Sequence, residues 1–182
     1  LSLRNGLIIP ISTSEFPDFS VKHFFLIPTH SLRFCCIHFF EVLLMLTKYG
    51  LALPILKVNE KNILVTGSSG LLGSWLVEEL LNIGCNVTGI SLDETKDDLL
   101  RSKDIFDEIE KYYVDVSSYT EIKNIILDKK FTFIFHLAAQ TQVTEALLNP
   151  LKTLESNIQG TWNLLEIYRV QNIPMVLASS DK

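Results

Sequence analysis

Beyond residue 60 the apolar positions follow two rhythms in turn. Asn62-Ile-Leu-Val-Thr66 is a short β-branched run of the kind a strand buried on both faces requires. A turn rich in Gly and Ser follows from Gly67 to Gly73, and Leu71, Leu72, Trp75, Leu76, Leu80 and Leu81 then recur at helical spacing. Gly84 stands where such a helix should end. Asn86 to Ile90 predicts a second strand, and the charged stretch from Asp93 to Glu110 should hold a surface helix whose limits the pattern does not set. Lys111 to Val116 predicts a third strand. A helix capped by Ser118 or Thr120 should then run to about Lys129. Phe131 to Leu137 predicts a fourth strand, Pro150 to Val170 a long helix and Ile173 to Ser179 a fifth strand. Strands alternating with helices pair in parallel, and right-handed crossovers place helices on both faces. The expected fold class is α/β, a doubly wound parallel sheet that stops after its fifth strand.

Residues 1–60 show no such rhythm. They hold 7 of the 11 Phe, 4 of the 6 Pro, 3 of the 4 His and 2 of the 3 Cys, with net charge +1 against −6 for residues 61–182. Four prolines, each lacking a backbone donor, interrupt them. Their most apolar piece, Phe34 to Leu46, contains Glu41 and falls short of the ~20 residues that span a bilayer, which argues against a membrane anchor. The expectation is a poorly structured or non-native extension, with the natural start at or near Met45. N-terminal sequencing that found residues before Met45 in the native protein would refute it. The ordered unit is then 61–182, consistent with 182 residues at roughly 150 per domain.

Composition narrows the function. With 16 basic and 21 acidic residues the chain is net −5, and it has no long basic run, so nucleic acid is not an expected partner. Cys35, Cys36 and Cys85 form neither a set of pairs nor a CxxC, so disulfide scaffolds and zinc ribbons are not expected and a reducing, cytoplasmic setting is.

The candidate chemistry lies at the first strand-to-helix turn, Gly67-Ser-Ser-Gly70-Leu-Leu-Gly73. Gly67 permits a tight turn. Gly70 lets a pyrophosphate approach the backbone, and Gly73 lets the helix pack close. The helix N-terminus, with Ser69, Leu71 and Leu72, offers N–H groups and a partial positive charge. An acidic residue about 20 positions on should bind the adenosine ribose. Asp93 lies 20 residues after Gly73, and a carboxylate there favours NAD over NADP; Ser91 could hold the nearer position instead.

The GxxGxxG spacing resembles the extended short-chain dehydrogenase/reductase family. Val65 to Leu76, Val87 to Asp93, His136-Leu-Ala-Ala-Gln140, Asn157-Ile-Gln-Gly-Thr161 with Asn163-Leu-Leu-Glu166, and Ser179-Ser-Asp-Lys182 together resemble its NAD-dependent sugar-nucleotide epimerases and dehydratases. Gly-Ser-Trp-Leu, His-Leu-Ala-Ala-Gln and Ser-Asp-Lys look most like the CDP-glucose 4,6-dehydratases. The resemblance implies a Rossmann-like NAD-binding domain in an enzyme whose substrate is a sugar nucleotide, with a homodimer by analogy. It places Asp115 and Val116 near the adenine. Leu137, Ala138 and Ala139 would lie beside the nicotinamide, Gln140 at the border of the sugar site, and Asn157 would support the cofactor pocket. His136 reads as a satisfied strand histidine.

By the same resemblance Ser180, Asp181 and Lys182 are the catalytic candidates. Ser180 would bind the C4 oxygen and Asp181 would be the acid for the departing C6 hydroxyl. Lys182, where many relatives have glutamate, would act as base or through water and charge. The family's Tyr-x-x-x-Lys pair is expected after the fifth strand, beyond Lys182. Tyr119 and Lys123 have the spacing but precede the fourth strand. The expectation is the N-terminal portion of an enzyme, without dehydratase turnover alone; detection of 4-keto-6-deoxy product from this polypeptide would refute it. Three other readings are a related epimerase or reductase, a non-catalytic dinucleotide-binding module and a nonfunctional fragment.

Overall fold

A computed structural model describes residues 62–94 and 99–178. The expected extension over residues 1–60 lies outside the described residues. Five strands form one parallel sheet: β1 (Asn62–Thr66), β2 (Asn86–Ser91), β3 (Glu110–Tyr113), β4 (Phe133–His136) and β5 (Met175–Leu177), in the order β3-β2-β1-β4-β5. The helices are α1 (Leu71–Asn82), α2 (Leu99–Ser102), α3 (Tyr119–Lys129), α4 (Val143–Leu148), α5 (Pro150–Leu154) and α6 (Gly160–Gln171), with a π-turn, Glu155–Gln159, joining α5 to α6.

The period of two along each strand explains the two cores. Ile63 and Val65 of β1, with Phe133 and Phe135 of β4, face Leu76, Val77 and Leu80 of α1 and Leu100 of α2. Leu64 and Ile134 face the other way, onto Ile122 and Ile126 of α3 and Leu164 and Ile167 of α6. Both faces of the sheet are therefore apolar and covered, and the fold is Rossmann-like, as the alternation requires. Strand order reverses between β1 and β4, and in such sheets the crevice at the carboxyl ends beside that reversal receives ligands.

The differences from expectation have local causes. β3 spans Glu110–Tyr113 rather than 111–116 because its partner β2 stops at Ser91, which is paired with Tyr113. β4 and β5 are likewise limited to the residues that register with β1 and with β4. The charged stretch after β2 holds a helix, α2, as expected, and a 3-10 turn (Phe106–Glu108) after it that was not expected. Asp104, with φ +56°, turns left-handed between them. α4 was not anticipated, and the long helix carries the π-turn within it. Ser118 stands at the N-cap of α3 without a side-chain cap bond; the Asp115 carboxylate instead accepts the Ser117 N–H at 2.9 Å. Among the described residues no helix is long and apolar enough to cross a membrane.

Candidate functional site

The site grows from the end of β1. Gly67 has φ +75°, a conformation costly for residues with a Cβ. A Cβ there would also lie 2.8 Å from the Ala138 nitrogen, so the glycine lets the β1 turn rest on the loop after β4. At Gly73 a Cβ would meet the Gly67 carbonyl oxygen at 2.0 Å, which closes α1 onto its own turn. Gly70 differs: a Cβ there would meet only the Gly67 oxygen at 3.4 Å, and the residue is exposed. The position that must admit a ligand is thus open, and the two that set the turn are closed. The first turn of α1, with Leu71 exposed and Leu72 half-buried, has N–H groups without intrahelical acceptors. Open space over Gly70 and free donors beside it can receive a pyrophosphate. Ser69 is half-buried in the same turn, while Ser68 is buried and bonded to Ser91 Oγ at 3.1 Å.

That bond occupies Ser91, the alternative ribose ligand, at the last position of β2. Asp93 lies two residues further on and is exposed. After β3, Asp115 is half-buried and turns its carboxylate to the Ser117 N–H. The Val116 side chain is buried in the α3/α6 core, where a Cβ on Gly160 would come within 2.5 Å of it. Val116 therefore presents backbone rather than side chain to any ligand.

The loop after β4 is held by a polar chain. Thr66 takes the Leu137 N–H on its carbonyl at 3.0 Å and the Ala138 N–H on Oγ1 at 3.3 Å. Thr66 Oγ1 lies 2.6 Å from His136 Nδ1, and His136 Nε2 lies 3.2 Å from Thr161 Oγ1. The Thr161 hydroxyl donates to the Asn157 carbonyl at 2.7 Å, so it must accept from the ring. In the neutral ring the bonding therefore places the proton on Nε2, with Thr66 donating to Nδ1. Burial lowers the His136 pKa to about 4, consistent with that state. Asn157 closes the arrangement: Oδ1 accepts the Gln140 N–H at 2.7 Å, and Nδ2 donates to the Gln140 carbonyl at 3.0 Å. Leu137 and Ala138 are half-buried and Ala139 is exposed, so small side chains leave this edge accessible.

The structure brings Gly67 against Leu137 and Ala138, and Gln140 against Asn157. It leaves Asp93 apart from these contacts. Ser180, Asp181 and Lys182 lie outside the described residues. Tyr119 and Lys123 share a face of α3, with Lys123 Nζ 5.6 Å from the Tyr119 ring, and Tyr119 packs on the core. Sequence reasoning missed Thr66, Thr161 and Gln159. Thr66 carried a signal, as a hydroxyl ending an otherwise apolar strand, and so did Thr161, one helical turn after Asn157. Among the described residues no group of three or more His, Cys, Asp or Glu is placed to hold a metal.

Residues 63–182 match the model of the NAD dependent epimerase/dehydratase family. Over 125 residues the chain is 35% identical to the CDP-glucose 4,6-dehydratase of Salmonella typhimurium, a match covering 67% of this chain and 35% of that protein. It is 31% identical over 128 residues to the bifunctional UDP-glucose 4-epimerase and UDP-xylose 4-epimerase 3 of Arabidopsis thaliana, covering 66% and 36%. The solved UDP-glucose-4-epimerase of Stenotrophomonas maltophila, with bound NAD and formylated UDP-arabinopyranose, aligns with TM-score 0.59 at 25% identity, over 66% of this chain and 37% of that one. The chain spans about a third of the length of the curated relatives it matches.

Proposed function

The chain belongs to the NAD-dependent epimerase/dehydratase family, and from that premise we propose that it is the cofactor-binding part of an NAD-dependent sugar-nucleotide 4,6-dehydratase of the CDP-glucose type. The observation that carries the cofactor reading is the β1–α1 turn, closed at Gly67 and Gly73 and open at Gly70. In this reading the pyrophosphate rests over Gly70 on the N–H groups of Ser69, Leu71 and Leu72. Asp93 accepts from the ribose, Asp115 and Val116 flank the adenine, and Leu137 to Gln140 border the nicotinamide under the hold of Asn157. NAD, when bound, supplies a hydride acceptor that returns the hydride within one turnover.

The chain's own groups would serve the loss of water across C5 and C6. Ser180 binds the C4 oxygen. Asp181 protonates the C6 hydroxyl as it departs. Lys182 takes the C5 proton or stabilises the charge that develops there. These three follow β5 in sequence, and ligands of such sheets lie outside the carboxyl ends of the strands. The dehydratase assignment rests on Ser-Asp-Lys; the similarity to a 4-epimerase keeps C4 epimerisation as the second reading.

Calorimetric titration tests the cofactor, with NAD expected to bind at least ~10-fold more tightly than NADP because Asp93 would face a 2′-phosphate. Equal affinity would remove Asp93 from the site. Incubating the whole protein with CDP-glucose tests the reaction, 4-keto-6-deoxy product being expected and C4 epimer alone overturning the dehydratase assignment.

A cytoplasmic location belongs to the same reading, from the cysteine usage, and fractionation with a cytosolic marker tests it. So does a homodimer. Val143, Leu147, Leu148 and Leu151 are each at least 72% exposed on neighbouring turns of α4 and α5, which supports a covering surface there. Sedimentation velocity should show a dimer that Leu147→Glu dissociates; a wild-type monomer would end that proposal.

A further inference from the structure

The π-turn and the start of α6 together reach both cofactor loops. At about 100° per residue, Gly160, Leu164 and Ile167 make a buried stripe along α6. Asn157 and Thr161 flank that stripe on one side and serve the loop after β4. Gln159 and Asn163, again four residues apart, flank it on the other side. There Gln159 Nε2 donates to the Ser117 carbonyl at 3.0 Å. Asn163 Nδ2 donates to the same carbonyl at 2.8 Å and to the Val116 carbonyl at 3.0 Å.

The Asn163 bonds already satisfy both carbonyls, from a buried residue. Gln159 is half-buried and adds a second donor to an oxygen that has one. What the second bond adds is direction. The Ser117 residue is gripped at its oxygen by Gln159 and at its N–H by the Asp115 carboxylate. The orientation of that carboxylate therefore depends on where Ser117 is held.

We propose that Gln159 is a positioning residue for adenine recognition, acting through Ser117 on the Asp115 carboxylate. The inference rests on the reading that Asp115 flanks the adenine. A carboxylate accepts from a 6-amino group and repels a 6-oxo oxygen, so its placement decides between adenine and hypoxanthine rings.

The test titrates the full chain with NAD and with its hypoxanthine analogue. Wild type should prefer NAD by roughly 5-fold or more, as expected where a polar site meets the wrong partner. Gln159→Met keeps length and helix propensity but cannot donate. It should lower that ratio about 3-fold or more with little change in melting temperature. Gln159→Lys, which still donates, should keep the wild-type ratio. An unchanged ratio in Gln159→Met overturns the role of Gln159, as does equal loss for both ligands. A wild type that binds NAD without preference, or not at all, overturns instead the placement of Asp115 on which the inference stands. Should Gln159→Met not fold, a Gln159→Lys ratio below wild type would overturn the proposal, and one equal to wild type would support it.

Discussion

The three glycines of the β1–α1 turn do different work, and substitution should separate them. At Gly70 an alanine Cβ finds only an ordinary 3.4 Å contact. Gly70→Ala should therefore change stability by less than ~0.5 kcal/mol, as exposed substitutions do. It should nonetheless weaken NAD at least ~10-fold, about 1.4 kcal/mol, because the methyl stands where phosphate would approach. At Gly73 the Cβ would sit 2.0 Å from a backbone oxygen, and Gly73→Ala should cost about 2 kcal/mol or more of folding free energy. Thermal melts with parallel NAD titration distinguish the two. Wild-type NAD affinity in a well-folded Gly70→Ala would remove the turn from the site. Gly67 and Gly73 are legible in the sequence because a Cβ at either would collide with backbone, and Gly70 because its open face leaves room for a ligand. The partners of Ser91, Thr66 and Thr161 are not legible, because a hydroxyl's role depends on which strand end lies beside it.

At the scale of elements, the sequence is informative wherever one physical signal dominates. β1 and the start of α1 lie where the β-branched run and the glycine turn place them. Gly84, at φ +81°, ends α1 as its position predicts. Strand ends are less legible because pairing decides them. Phe131 and Leu137 look like β4 by hydrophobicity, yet the ladder with β1 runs only from Phe133 to His136. In the charged stretch after β2 the apolar signal is weaker, and the buried Leu100 is what anchors α2 on the core. The long helix is legible in its ends, Pro150 at the first position and Asn172 at the left-handed stop. Its interior is not. The π-turn holds Asn157 where two bonds to the Gln140 backbone define the loop, and no local periodicity announces that demand.

For the whole molecule, His136 ties the sheet to the helical layer, linking β1 through Thr66 and α6 through Thr161. The ring is buried and its pKa falls to about 4, against an ordinary 6.5 in the unfolded chain. The sign follows from proton counting. Below about pH 6.5 the unfolded chain binds a proton at this residue while the folded chain does not, so stability decreases as pH falls. The stabilisation is complete above pH 6.5, declines through the window to about pH 4, and is lost below it. Its full size is on the order of 3 kcal/mol, from ~1.4 kcal/mol per pH unit. The other three histidines all lie within residues 1–60, so His136 is the only one in the described domain. Urea unfolding between pH 7.5 and 4 should show the loss, and His136→Gln should flatten it while starting from a lower stability. Nitrogen NMR of the imidazole should find the Nε2-protonated neutral form from pH 7.5 down to about pH 5, with protonation centred near pH 4. A ring that titrates near 6.5 in the folded protein would mean that Thr66 and Thr161 do not enclose it. The coupling between β1, β4 and α6 that holds the loop from Leu137 to Gln140 would then need another carrier.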